Sequence, residues 1–143
     1  MPRFTLSSTP FDTATLRAGL LDASVGAYAS FEGWVRNHND GRGVHGLHYE
    51  AYATLAQTEG DRIIDEAVAK FAILDARCVH RVGDLAVGEL AVWVGVTAAH
   101  RDAAFAACRF IIDEVKSRAP IWKHERYVAG GAGWLHPGGE EIR

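Results

Sequence analysis

A histidine and an arginine open a predicted helix, at a place where the backbone itself favours a negative charge. His100 and Arg101 follow Thr97, and the pattern after them predicts a helix over residues 98–118 with Thr97 as its N-cap. The first N–H groups of a helix lack partners and its dipole is positive there, so an anion is stabilised. The arginine guanidinium also matches phosphate geometry. Considered alone, the pair is explained equally well by a solvated first turn.

More basic side chains lie near the other end of this helix and in the strand predicted over residues 121–128. Lys116 lies in the last helical turn, where a cation also compensates the helix dipole and needs no ligand. Alternation along the strand places Lys123 and Glu125 on one face and His124 on the other. The strand therefore turns one lysine and one carboxylate toward the same surface.

Arg36 adds a basic group from a third segment, at the start of a loop predicted over residues 36–43. Residues 24–35 and 44–52 alternate as strands on either side of this loop, so we expect a hairpin with a long, mobile tip. If the three basic segments converge, they form a pocket for a small phosphorylated anion. The residues alone do not specify a reaction in that pocket.

The order of the other elements predicts an α+β fold. Apolar residues at helical spacing indicate a helix over 54–71, and alternation indicates strands over 74–82 and 89–97. With the segments already described, this order implies helices packed against a largely antiparallel sheet.

The sequence also predicts which parts of the last helix and of the tail are packed. The buried stripe of the helix over 98–118 is expected to consist of Phe105, Cys108, Ile112 and Val115. The glycine-rich tail, about 129–143, is expected to be loosely ordered, with Trp134 as a candidate anchor.

Three other motifs have weaker functional interpretations. Residues 41–46 match the dinucleotide pattern G-x-G-x-x-G, but that pattern requires a helix directly after it, and a strand is predicted there. His45 and His48 fall on opposite faces of this strand, and no zinc motif occurs, so no metal site is expected. Cys108 lies on the predicted core stripe, too far along the helix from His100 for the two to act together.

Composition limits the class of protein. The chain has 143 residues, 48% hydrophobic and 23% charged, with a formal net charge of −3. A nucleic-acid-binding face needs a basic excess, so that class is disfavoured. No apolar run is long enough to span a bilayer and the N-terminus lacks a signal-peptide pattern, so we expect a cytoplasmic protein that does not bind membranes.

Four ordered segments resemble the large, catalytic subunit family of molybdopterin synthase, and their order and spacing agree from about residue 24 to 128. They are Phe31-Glu32-Gly33-Trp34-Val35-Arg36-Asn37-His38-Asn39, His80-Arg81-Val82-Gly83-Asp84-Leu85 with Gly88-Glu89, Val94-Gly95-Val96-Thr97-Ala98-Ala99-His100-Arg101, and Lys116-Ser117-Arg118-Ala119-Pro120-Ile121-Trp122-Lys123-His124-Glu125.

The resemblance implies a fold, partners and a reaction. The fold is an α/β hammerhead, here one domain over residues 1–143, in a homodimer that binds one small ubiquitin-like sulfur carrier at each outer end, a heterotetramer. The carrier's C-terminal Gly-Gly thiocarboxylate enters a pocket and gives its sulfur to cyclic pyranopterin monophosphate. Two such transfers build the dithiolene of molybdopterin, and the resemblance implies no cofactor.

The resemblance also assigns roles to individual residues. Lys116 and Lys123 match the family's two pocket lysines, and we expect Lys116 to lie nearest the thiocarboxylate with Lys123 assisting. Arg36, His100 and Arg101 match its substrate-anion ligands. The flanking substrate contacts correspond to Trp34, Val35, His124 and Glu125.

The chain departs from the family pattern in three places. Trp34 stands where a polar or basic residue is common, and His124 stands where arginine is common. The tail after Trp134 lacks the charged helical ending of some members. Two other functions are weighed against the enzyme: a non-catalytic relative that only docks the carrier, and a phosphate-handling hydrolase. Retention of both lysines argues against the first, and the second needs a nucleophile or metal that the sequence does not offer.

Overall fold

The computed structural model describes residues 2–128 and the backbone of residues 132–135. Two sheets and two long helices make up most of this part of the chain, and the predicted α+β class is confirmed. In chain order the elements are β1 (Phe4–Ser7), α1 (Thr13–Ala18), β2 (Ala27–Trp34), β3 (His38–Asn39), β4 (Arg42–Ala51), α2 (Ala53–Lys70), β5 (Ile73–Arg81), β6 (Gly83–Ala86), β7 (Leu90–Ala98), α3 (Arg101–Arg118), β8 (Ile121–Tyr127) and β9 (Ala132–Leu135).

The first sheet is built around β7 and has the strand order β1-β5-β7-β2. Nearly every residue of β7 is buried, which accounts for its continuous apolar sequence. Its neighbours β5 and β2 run antiparallel to it, and β1 runs parallel to β5. The helices α2 and α3 pack against this sheet, and the main core between them includes Phe4, Ile63, Val94 and Ile111. No helix in the described part of the chain is both long and apolar enough to cross a membrane.

The strands on either side of residues 36–43 lie in different sheets, so the predicted hairpin is wrong. β2 pairs with β7, whereas β4 pairs with β6 and β8 in a second sheet of order β3-β4-β8-β9. The buried strand β7 needs a hydrogen-bonding partner along each edge, and β2 supplies one of them. The loop is also shorter than predicted, because β3 pairs with β4 around a turn at Asp40 and Gly41, whose φ values are 50° and 76°.

The long helix α3 begins later than predicted. Its first residue is Arg101, and His100 rather than Thr97 is the N-cap residue. Thr97 belongs to β7 and is fully buried, because that strand continues to Ala98. Phe105 is 65% exposed, so its predicted place on the buried stripe is wrong. The buried residues of α3 are Ala104, Ala107, Cys108, Ile111, Ile112 and Val115, which confirms the other three predicted members.

Several short elements were not predicted. These are β1, α1, β6 and β9, and each has six residues or fewer. β9 pairs with β8, so residues 132–135 of the supposedly loose tail form a strand. The rest of the predicted loose tail, and the predicted anchoring by the Trp134 side chain, lie outside the described residues.

Arg118 ties the end of α3 to α2. Its Nη2 lies 2.6 Å from Oε1 of Glu59 and 2.7 Å from Oε2 of Glu66, both on α2. Its Nη1 donates to Oε1 of Glu114 within α3, at 3.2 Å. These bonds fix the last turn of α3, the turn that carries Lys116.

We predict that Gly60→Ala destabilises the protein although alanine is the better helix former. A Cβ at Gly60 in α2 would lie 2.1 Å from Cγ of the fully buried Phe4, so the core must shift. Overpacking of this kind typically costs about 1–3 kcal/mol. Gly19→Ala is the matched control, because its added Cβ meets nothing closer than 3.5 Å. Urea unfolding of the two variants measures the difference, and equal stabilities would contradict the prediction.

Candidate active site

A cavity of about 330 Å³ lies where the second half of α3 faces both sheets. Its walls come from β2, β3, β4, β5, β7, α3 and β8. The lining residues are Gly33, Trp34, Val35, Arg36, His38, Asn39, Leu47, Tyr49, His80, Ala91, Val92, Ile112, Val115, Lys116, Ile121, Lys123 and Glu125. The cavity has an apolar floor. It is also lined by three basic side chains: Arg36, Lys116 and Lys123.

Six of the nine predicted site residues meet in this cavity. They are Trp34, Val35, Arg36, Lys116, Lys123 and Glu125. His124 does not line it, because strand alternation turns it away from Lys123 and Glu125. His100 and Arg101 do not line it either. Arg101 precedes Lys116 by 15 residues on the same helix, which is about 22 Å at the α-helical rise.

The carboxylate of Glu125 links two walls of the cavity. Glu125 is only 3% exposed, and its Oε1 accepts a hydrogen bond of 2.6 Å from Nδ2 of Asn39 in β3. Asn39 in turn accepts one of 3.3 Å from Nη2 of Arg36. Oε1 of Glu125 also lies 3.8 Å from Nζ of Lys123. A polar chain therefore joins the segment after β2 to β8 and holds Arg36 and Lys123 at the same cavity.

Lys123 is a partly desolvated cation. Burial lowers the pKa of Lys123 below its usual value, and the nearby charges of Lys116 and Arg36 lower it further. The Glu125 carboxylate acts in the opposite direction and favours the ammonium form. A lysine in this balance can hold a positive charge toward a bound anion and can also exchange a proton.

The cavity contains two titratable groups that the sequence analysis did not select, the half-buried Tyr49 and the buried His80. Burial raises the pKa of Tyr49 to about 12, and the charge of Glu125 adds to the effect, so its hydroxyl stays protonated. Burial lowers the pKa of His80 to about 4, against the opposing effect of its bond to the Arg81 carbonyl. His80 belongs to one of the four segments that carry the family resemblance, and that segment was the available signal. Tyr49 lies outside all four.

The weaker motifs have structural roles. Cys108 packs in the main core, and burial raises its pKa to about 11, so its thiol is not a reactive thiolate. Residues 41–46 lead into β4 rather than into a helix, so they do not form a dinucleotide turn. Among residues 2–128, no group of three His, Cys, Asp or Glu side chains is arranged to hold a metal ion.

Comparisons with known proteins identify the family of the chain and support its fold. The family model described as MoaE protein matches residues 6–118. A molybdopterin synthase catalytic subunit of Thermoplasma volcanium is 47% identical over 110 residues, which cover 77% of this chain and 80% of the relative. The crystal structure of molybdopterin synthase from Staphylococcus aureus superposes with a TM-score of 0.88 at 32% identity, covering 94% of this chain and 98% of that one.

A more distant structure shares the fold. It is a complex of subunits 1 and 2 of molybdopterin-converting factor from Helicobacter pylori 26695. Its matching chain has a TM-score of 0.72 at 22% identity, covering 85% of this chain and 83% of that one.

We predict that Glu125→Gln lowers the pKa of Lys123 further. The amide keeps an acceptor for Asn39 but removes the negative charge that stabilises the ammonium form, so deprotonation begins at lower pH. An NMR titration of the labelled lysine side chain measures the shift. Glu50→Gln is the control, because Glu50 is exposed and pairs with His48 instead. An unchanged or higher Lys123 pKa in Glu125→Gln would contradict this account of the cavity.

Proposed function

The chain belongs to the MoaE family of molybdopterin synthase catalytic subunits, and from this we propose that its cavity binds cyclic pyranopterin monophosphate and the C-terminal thiocarboxylate of a small carrier protein. The activity is that of a sulfurtransferase of molybdenum cofactor biosynthesis. Sulfur passes from the thiocarboxylate to the pterin, and two transfers form the dithiolene. The observation that carries this proposal is the convergence of Arg36, Lys116 and Lys123 from three segments on one cavity.

The two lysines act on the thiocarboxylate. An ammonium group placed at the acyl oxygen stabilises the negative charge that develops there as sulfur is transferred. Lys116 is best placed for this contact, because it makes no ion pair within the described residues and its charge is free for a ligand. Lys123 assists, with Glu125 favouring its charged form.

Arg36 and Trp34 bind the other substrate. The Arg36 guanidinium offers the donors that suit a phosphate. Trp34 is 57% exposed although it lines the cavity, so its indole presents a flat apolar face at the cavity's edge. Such a face suits stacking against a pterin ring, and Val35 and Glu125 complete the substrate contacts. His124 lies on the opposite face of β8, away from the cavity, so we assign it no direct substrate contact.

His100 and Arg101 complete the site from a second copy of the chain. They lie at the far end of α3 from the cavity, so one chain does not bring all the predicted anion ligands together. On the same helix, Phe105 is 65% exposed and borders an apolar groove lined by Phe31 and Ile112. An exposed apolar surface of this kind is typical of an interface, and a two-fold dimer would give each cavity the His100 and Arg101 of its neighbour.

The carrier is a small ubiquitin-like subunit with a C-terminal Gly-Gly. The Helicobacter pylori structure is a complex of two different subunits, which supports a hetero-oligomer here. We propose two catalytic chains and two carriers, in the cytoplasm, with residues 1–143 acting as one domain.

We predict that Lys116→Ala reduces dithiolene formation by about 10²-fold or more, the usual cost of removing one donor to a developing oxyanion. The assay supplies preloaded thiocarboxylated carrier and cyclic pyranopterin monophosphate and measures molybdopterin. Lys70→Ala is the control, because Lys70 lies at the end of α2 and does not line the cavity. Normal turnover by folded Lys116→Ala protein would remove Lys116 from the mechanism.

We predict that two inactive variants restore activity when they are co-expressed. Arg101→Ala and Lys116→Ala each disable every site of their own dimer. In a mixed dimer, one site carries both substitutions and the other carries neither. Random mixing should therefore restore about one quarter of the wild-type activity. Differently tagged chains identify the mixed dimers, and mixed dimers without activity would show that the cavity does not use a neighbour's Arg101.

A further inference from the structure

His80 is a buried titratable side chain in the cavity to which the sulfur transfer described above gives no role. It lies in β5, is 4% exposed, and meets the ring of Tyr49 edge to face with 4.8 Å between centroids. The charge of Lys116 on α3 acts on it as well. A histidine this buried in a ligand cavity needs an explanation, since a core position would more simply hold an apolar residue.

The orientation of the ring determines what His80 can offer. Its Nδ1 lies 2.7 Å from the carbonyl oxygen of Arg81. A carbonyl only accepts hydrogen bonds, so Nδ1 carries the hydrogen, and in the neutral ring Nε2 is left as the acceptor. No side chain within residues 2–128 donates to Nε2. Because His80 lines the cavity, Nε2 is the ring's free polar atom there.

The other polar groups that line the cavity with His80 carry a charge or hold their proton firmly. Tyr49 keeps its proton, as its raised pKa of about 12 requires. Glu125 accepts from Asn39 and faces the ammonium of Lys123. The cations Arg36 and Lys116 only donate when charged. His80 is therefore the buried lining group that offers a neutral nitrogen acceptor.

Sulfur transfer creates a need for such an acceptor. The carrier arrives as an acyl group bonded to sulfur, and once that sulfur has bonded to the substrate the two molecules are joined as a thioester. Release needs water: a C–O bond forms at the acyl carbon, the C–S bond breaks, and its electron pair leaves on sulfur. The attacking water also loses a proton, which a nearby base must take.

We propose that His80 is the proton acceptor for this hydrolysis, with Nε2 taking the proton of the attacking water and passing it to the departing sulfur. The inference rests on the sulfur transfer proposed above and adds the residue that ends each transfer. In this arrangement the Arg81 carbonyl orients the His80 ring, Lys116 stabilises the negative charge on the acyl oxygen, and His80 takes the proton from the attacking water.

Burial and the charges around His80 together set its strength as a base. The titratable groups that line the cavity with it are Arg36, His38, Tyr49, Lys116, Lys123 and Glu125. In the empty cavity, burial and the Lys116 charge keep the ring neutral at physiological pH, so Nε2 is always available. A bound thiocarboxylate and phosphate offset the Lys116 charge, which removes one of the two effects that lower the pKa of His80.

His80→Asn and His80→Gln test the proposal. Asparagine can keep a donor near the Arg81 carbonyl but has nothing at the Nε2 position, whereas glutamine places an amide near that position that cannot take a proton. After mixing with preloaded carrier and cyclic pyranopterin monophosphate, samples are quenched in denaturant. Mass spectrometry then follows the carrier–substrate adduct, and a separate assay follows molybdopterin.

We expect both variants to form the adduct at close to the wild-type rate and to release it about 10²-fold more slowly, within the usual contribution of a general base. His45→Asn, on an exposed residue outside the cavity, is the control. Release at the wild-type rate in both folded variants would overturn the role of His80, and so would recovery in His80→Gln alone, which would indicate a positioning residue. Thermal melting identifies a variant that fails to fold. The release rate of the other His80 variant then tests the proposal.

Failure of the underlying sulfur transfer has a different signature. In that case wild-type protein gives neither adduct nor molybdopterin. Lys116→Ala should lose adduct formation itself, whereas the His80 variants should lose only its breakdown.

Discussion

Positive charges held together in a partly buried cavity are the constraint on which the rest of the structure depends. Arg36, Lys116 and Lys123 repel one another, and burial disfavours the charged form of Lys123. The buried carboxylate of Glu125 offsets both effects, but a lone buried carboxylate would itself be unstable. Asn39 donates a hydrogen bond to this carboxylate, and the pairing of β3 with β4 holds Asn39 in place. An anionic ligand would neutralise the positive charge that Glu125 does not balance.

The fold supplies fixed walls for these charges. β7 is buried and anchors the first sheet, while β4 and β8 carry the second sheet across the cavity. Lys116 reaches the cavity from the last turn of α3, which Arg118 holds against α2 through two carboxylates. A flexible turn there would let the ammonium move into solvent. The bonds of Arg118 fix the backbone from which Lys116 extends, so in the proposed reaction the ammonium is already near the cavity when charge develops on the thiocarboxylate.

The sequence predicted local features well and pairings poorly. Alternation correctly placed Lys123 and Glu125 on one face of β8, and helical spacing located Cys108, Ile112 and Val115 in the core. Both are properties of a single element. The partner of β2 is decided by the buried edge of β7, about sixty positions further along the chain, so alternation around residues 36–43 could not reveal it. His80 lies in a segment that carries the family resemblance, but tertiary packing is what shows that its side chain lines the cavity.

The two ends of α3 explain why the site cannot be read from one chain. Lys116 lines the cavity, whereas Arg101 lies about 22 Å away along the same rigid helix, and no side chain is long enough to close that gap. In the proposed dimer, two-fold symmetry runs the second copy of α3 in the opposite direction, which brings its Arg101 toward the cavity that Lys116 of the first chain lines. The exposed Phe105, four residues after Arg101, lies on the part of α3 that such a neighbour would cover. Exposure of this aromatic ring to water is unfavourable, so we expect a second copy of the chain to cover Phe105.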